Sequence, residues 1–167
     1  DYAYTIQGWI KGVNSNTIKE TRDIGKDGSL TVGNINKYTA RDAFGYSLDY
    51  FNGDYNPIAT LSGTQNFMAN ASAITSLASD APNLYNGNIK QMVTGIPDID
   101  PTNTVTDGTP IPQLTAYKYD QLNRINQMKA YRSINLDNNS WNTTYDESYQ
   151  TNMTYDANGN IITNKRN

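Results

Sequence analysis

The chain has 167 residues, enough for a domain with its own core, with 13 basic and 16 acidic side chains, a net charge of −3, and neither Cys nor His. Without Cys and His, thiol nucleophiles, disulfides, Cys/His zinc sites and imidazole acid–base chemistry are all excluded. Phosphate binding needs clustered Lys and Arg, so the lack of a basic run argues against a nucleic-acid surface. No apolar run approaches the ~20 residues of a membrane span. The 13 Tyr and the many Asn suit β-structure with tight turns and disfavour long helices.

The predicted elements follow in chain order. "YAYTIQGWIKGVN" (2–14) reads as two short strands around Gln7-Gly8. Residues 15–40 are polar and rich in breakers, and are expected to be a surface excursion, irregular or with one short helical turn. In "DAFGYSLDYFNGDYNPI" (42–58), Phe44, Tyr46, Leu48 and Tyr50 alternate and are expected to line one face. Asn52-Gly53 is a type I′ hairpin dipeptide, and Pro57 ends or edges the next strand. Phe67, Ile74 and Leu77 recur at helical spacing within a Ser/Ala-rich stretch, which fits one short helix over 66–79 or a loop. "LYNGNIKQMVTGI" (84–96) reads as a hairpin around Asn86-Gly87, and residues 97–114 as a Pro-rich connection. From Thr115 onward the chain is strands and turns, interrupted by a polar loop at 135–144.

One seven-residue phrase is written three times: "YTIQGWI" (4–10), "YDQLNRI" (119–125) and "YDANGNI" (155–161). Its chemistry is that of a hairpin. The rings of Tyr119 and Tyr155 pack at a strand end while their hydroxyls stay wet. The carboxylates of Asp120 and Asp156 can accept from backbone N–H groups two residues on. Gly159 supplies a positive φ without steric cost, and Asn123 is the next most tolerant residue. Ile125 and Ile161 open the return strands. A catalytic pairing of Asp120 with Asp156 is disfavoured, because each sits at an equivalent position of a repeat, and repeated elements serve the fold.

The phrases "YKYDQLNRI" and "TYDANGNI" resemble the YD repeats of Rhs (rearrangement hotspot) proteins. The order "YAYTIQGWI", "DAFGYSLDY", "YNGNI" and the two YD phrases resembles the version found in Bacteroidetes-type bacteria, upstream of the Rhs-repeat-associated core, over nearly the whole chain. The resemblance implies an all-β fold: an antiparallel hairpin strip, one wall segment spanning residues 1–167 of a longer chain. It implies a secreted or cell-surface protein whose β-shell encloses or displays a C-terminal toxin delivered as a secretion-system substrate. The implied partners are flanking repeats and a secretion-apparatus, immunity or carrier protein. Thr5 replaces the phrase's Asp, Asn123 replaces its Gly, and the Asn-rich loop lengthens the spacing between the last two copies. Asp100-Pro101 has the dipeptide of the family's self-cleavage signature without its following glycine, so cleavage is not carried over.

Other candidates are weaker. "GKDGSLTVG" (25–33) lacks phosphate-loop spacing, and "DIDP" and "NLDNNS" lack the alternating ligands of a calcium loop. Asn70, Asn138, Asn142 and Asn152 lie in N-x-[ST] sequons that read as Asn-rich turns or strands. No catalytic, cofactor or metal residue is assigned. The main alternative to a shell segment is a surface adhesin module, with Trp9 and Trp141 stacking on glycans. An enzyme would need converging carboxylates alone, and glycoside hydrolysis is the one familiar chemistry that fits. The inner face is expected to hold Tyr4, Phe44, Tyr46, Leu48, Tyr119, Met153 and Tyr155, subject to strand register.

Overall fold

Alternating β-branched and aromatic residues punctuated by Asn, Asp and Gly fold as short antiparallel strands. The structure is a computed structural model that describes residues 1–16, 23–29, 32–56, 79–96, 112–132, 134–135, 140–141 and 145–167, without the side chains of 134–135, 140–141 and 145–148. The strands are β1 (Tyr2–Tyr4), β2 (Ile10–Val13), β3 (Gly45–Asp49), β4 (Gln91–Gly95), β5 (Gln113–Tyr119), β6 (Ile125–Tyr131), β7 (Ile134–Asn135), β8 (Ser140–Trp141), β9 (Tyr145–Tyr155) and β10 (Ile161–Arg166). A single 3₁₀ turn, Ile35–Tyr38, is the helical element among the described residues. The fold is all-β, an antiparallel sheet in the order β1-β2-β3-β4-β5-β6-β9-β10, with β7 and β8 forming a small separate ladder. The helix expected over 66–79 lies outside the described residues except for its last position, as does the connection expected over 97–114 up to residue 111; its last two residues, Gln113 and Leu114, belong to β5.

The chain divides into two compact units. The first is built on Asp1–Leu48, with Gly53–Ala69 and Val93–Pro112. Here β1 pairs with β2 (Tyr2↔Val13, Tyr4↔Ile10) and β2 with β3 (Gly12↔Ser47). Its interior is unusually polar. Lys11 Nζ, fully buried, lies 2.7 Å from Asp54 Oδ1, and Asn16 Nδ2 donates to Ser47 Oγ at 3.3 Å. Gly45 packs so closely on the Ser15 carbonyl that no Cβ fits there.

The second unit comprises Asp49–Asn52, Asn70–Met92 and Gln113–Asn167. β5 pairs with β6, β6 with β9, and β9 with β10. Leu114 and Ala116 of β5 and Ala130 and Tyr131 of β6 are the most deeply buried apolar residues on this hairpin, with Leu114 paired to Tyr131 on one face. Burial of a side chain such as Leu114 stabilises by roughly 1.5–3 kcal/mol. Polar contacts complete the packing: Gln91 Nε2 donates to Asp49 Oδ2 (2.8 Å), and Lys90 Nζ donates to Asn52 Oδ1 (2.9 Å) and Asn83 Oδ1 (2.8 Å).

Three sequence expectations change. Tyr4 and Phe44 are exposed rather than inward, while Leu48 and Tyr50 are buried. Ser47 and Asp49, on the alternate face of β3, are fully buried as well, because hydrogen bonding lets polar side chains enter the interior. At Asn52-Gly53 only the glycine has a positive φ (77°), which excludes a type I′ turn. Asn86-Gly87 does not join two strands either. The Asn86 side chain accepts from Asn88 N (3.1 Å), a local turn that competes with strand pairing, and β4 begins only at Gln91.

Candidate functional site

The three phrases fold into one turn. In each, the first Tyr pairs with the last Ile: Tyr4↔Ile10, Tyr119↔Ile125 and Tyr155↔Ile161. The five residues between them close identically. Thr5 N donates to Trp9 O (2.8 Å) and Gly8 N to Thr5 O (2.9 Å); Asp120 N donates to Arg124 O (2.9 Å) and Asn123 N to Asp120 O (3.0 Å); Asp156 N donates to Asn160 O (2.9 Å) and Gly159 N to Asp156 O (3.1 Å). The fifth position takes positive φ in all three: Gly8 at 83°, Asn123 at 62° and Gly159 at 91°. This is the pattern of a type I turn followed by a left-handed residue, which wants Asp first and Gly last. At Gly159 the nearest atom to an added Cβ would be Arg124 Nη1 at 3.8 Å, so the glycine is there for its φ and not for space.

The second residue of the phrase braces the turn from its side chain. Asp120 Oδ1 accepts from Leu122 N (2.9 Å) and Arg124 N (3.0 Å); Asp156 Oδ1 accepts from Asn158 N (2.9 Å) and Asn160 N (2.8 Å). Thr5 Oγ1 does the same for Trp9 N at 3.1 Å, which is why Thr replaces Asp without loss of the turn. The backbone N–H of Arg124 holds the Asp120 carboxyl below its ordinary value, and the Asn160 side chain does so for Asp156. Carboxyls depressed in the fold contribute stability that is complete above the unfolded value near 4 and lost as pH falls through the lower folded values. Urea melts between about pH 2 and 5 are therefore expected to show stability falling with acid, and Asp120→Asn plus Asp156→Asn to flatten that slope.

Neighbouring phrases are stitched together by their tyrosines. Tyr119 Oη donates to Ile89 O (2.8 Å), the end of "YNGNI", and Tyr155 Oη donates to Ile125 O (2.6 Å), the end of "YDQLNRI". Both stitches span 30 residues. Each phrase end also contacts the next. Asn86 Nδ2 and Asn88 Nδ2 donate to Asn123 Oδ1 (2.7 and 3.2 Å), which gives Asn123 a task that glycine could not perform. Arg124 bonds Asp120 Oδ2 through Nε (2.6 Å), donates from Nη1 to Asp156 O (3.2 Å) and lies 4.4 Å over the Tyr155 ring. Tyr119→Phe and Tyr155→Phe are each expected to cost about 0.5–1.5 kcal/mol in chemical denaturation while leaving the strands intact. Ile89, Asn88 and Arg124 were not singled out from the sequence, and Asn86 was read there only as a hairpin-turn residue. The signal was present as the recurrence of Ile 30 residues ahead of each YD tyrosine.

Asp120 and Asp156 are thus turn braces, each engaged by its own hairpin. Trp9 is half-buried beside the first turn, and Trp141 lies on β8 with its side chain outside the described residues. Among the described residues, no helix is long and apolar enough to cross a membrane. Compared with protein-family models, curated proteins and solved structures, the chain matches none of them.

Proposed function

We propose that the chain is a non-enzymatic wall segment of an Rhs-like YD-repeat protein, large, bacterial, and secreted or displayed on the cell surface. Its hairpins would form part of a β-shell that encloses or displays a C-terminal effector such as a toxin. The observation that supports this most strongly is the Tyr-to-Ile stitch, repeated at the same offset of 30 residues. It is a rule for adding one hairpin to another, and it serves no substrate. The last phrase offers the next point of attachment: Ile161 is 56% exposed, and all of β10 is exposed. A strand edge of this kind needs a neighbour to protect it from uncontrolled pairing. Flanking repeats of the same chain are the natural occupant, and a secretion, immunity or carrier protein would engage the assembled shell.

The deciding experiment is peptide mapping of the intact protein from its native source. A chain of several hundred residues or more, with YD phrases on both sides of this segment, is the expected result. A free protein of about this size overturns the shell reading. In that case a glycan-binding module becomes the better account, favoured by the exposed, near-parallel rings of Tyr2 and Tyr4, whose centroids are 6.3 Å apart. A glycan array would then be expected to yield a ligand lost on Tyr4→Ala.

A further inference from the structure

In the first unit, the stretch "DIGKDGS" (23–29) folds into a loop that gathers carboxylates from distant parts of the chain. One carboxylate oxygen from each of Asp1, Asp23 and Asp27 lies within 4.8 Å of the others. We propose that Asp1, Asp23 and Asp27 bind a hard divalent cation of the Ca²⁺ class, with the Asp42 carboxylate as a fourth negative group beside them.

Four observations carry this. First, the spacing fits one coordination sphere: Ca²⁺–oxygen distances of about 2.3–2.6 Å place opposite ligands about 4.6–5.2 Å apart. Second, Asp23 is only 5% exposed, yet its Oδ1 has no hydrogen-bond partner, and Asp42 Oδ2 is likewise buried and unpartnered. Buried carboxylate oxygens are normally satisfied, and an ion is one of the few groups that can satisfy several together. Third, hydrogen bonds hold the loop in the conformation that brings these carboxylates together. Asp27 N donates to Asp23 Oδ2 (3.0 Å), Gly28 N to Asn36 O (3.1 Å), and Asn36 Nδ2 to Gly25 O. Fourth, the Asp1 carboxylate occupies the place that a Cβ at Gly25 would take, and that Cβ would also lie 3.3 Å from Asp27 Oδ1. Gly25 therefore leaves room for the carboxylates to converge.

An all-oxygen, all-carboxylate set selects a hard ion over zinc or copper, which favour nitrogen and sulfur. Asp1 is exposed, which leaves a path for the ion to enter and exchange.

The test is calorimetric titration of the chelator-treated protein with CaCl₂, paired with thermal melts. One equivalent bound, together with a rise in melting temperature, is expected. Asp23→Asn, which can keep the bond from Asp27 N, is expected to weaken binding at least tenfold. Asp156→Asn, in the last YD turn, is expected to leave it unchanged. Should Asp23→Asn fail to fold by circular dichroism, Asp27→Asn at the half-buried position decides instead. The proposal is overturned by the absence of binding at millimolar Ca²⁺, or by binding that survives both substitutions.

Discussion

Asp54→Ala is expected to destabilise the first unit by about 3–5 kcal/mol, the cost of leaving one member of a buried ion pair behind. Lys11 is fully buried, and the Asp54 side chain 2.7 Å from it is 4% exposed. The lysine comes from β2 and the aspartate from the turn after β3, so the pair links segments 43 residues apart. Whole domains are stable by only about 5–15 kcal/mol, so this one substitution removes a large share of the total. Urea titration followed through Trp9, in the same unit, measures it. The double substitution Lys11→Met/Asp54→Leu removes both charges and is expected to recover most of the loss, since an apolar pair of similar volume often replaces a buried ion pair without penalty. A loss below about 1 kcal/mol in Asp54→Ala would show that water reaches the ammonium after all.

Tyr131 carries the second large effect. It is fully buried in the second unit, and its hydroxyl donates to Asp80 Oδ2 at 2.5 Å. Lys129 Nζ lies 3.0 Å and Lys118 Nζ 3.4 Å from the other oxygen of the same carboxylate. Tyr131→Ala is expected to cost about 3–5 kcal/mol through the cavity and the lost ring contacts. Tyr131→Phe keeps the ring and is expected to cost about 1.5–3 kcal/mol, the value of a hydrogen bond to a charged group. Burial alone would raise the Asp80 carboxyl, but Tyr131 and Lys129 outweigh it and hold the carboxyl below its ordinary value. The contribution of this cluster is therefore present above the unfolded carboxyl pKa and declines as pH falls through the folded one. Comparing the two variants with the parent at neutral and acid pH separates packing from the hydrogen bond. The Phe variant should converge on the parent as the carboxylate protonates.

Local chemistry was the legible part of this sequence. The turn at Asp156 to Gly159 can be read from residue types alone, because an Asx brace and a left-handed glycine act within five residues. Strands and turns were likewise legible from Thr115 onward, although Gln113 and Leu114, read as the end of a connection, already belong to β5. What escaped the sequence reading depends on contacts between distant segments. The burial of Lys11 and Lys90 contradicts the ordinary preference of lysine and becomes reasonable only once Asp54, Asn52 and Asn83 are seen beside them. Phe44 fits the alternation of β3 yet lies one residue before that strand begins, and is exposed. Asn86-Gly87 has the composition of a hairpin turn, but Asn86 spends its side chain on its own backbone and on Asn123. Asp1, Asp23 and Asp27 follow no local ligand pattern, and meet only when the loop folds back on the first strand's leading residue.

Among the described residues, buried polar side chains outnumber buried apolar ones. Exposure of apolar groups raises the heat capacity on unfolding, and exposure of polar groups lowers it. The described interior, written largely in Ser, Asn, Gln, Asp and Lys, is thus expected to contribute a small heat-capacity increment for its size. Its stability curve is correspondingly shallow, changing little between cold and warm surroundings, because hydrogen-bonded polar contacts replace much of the apolar burial that gives such curves their curvature.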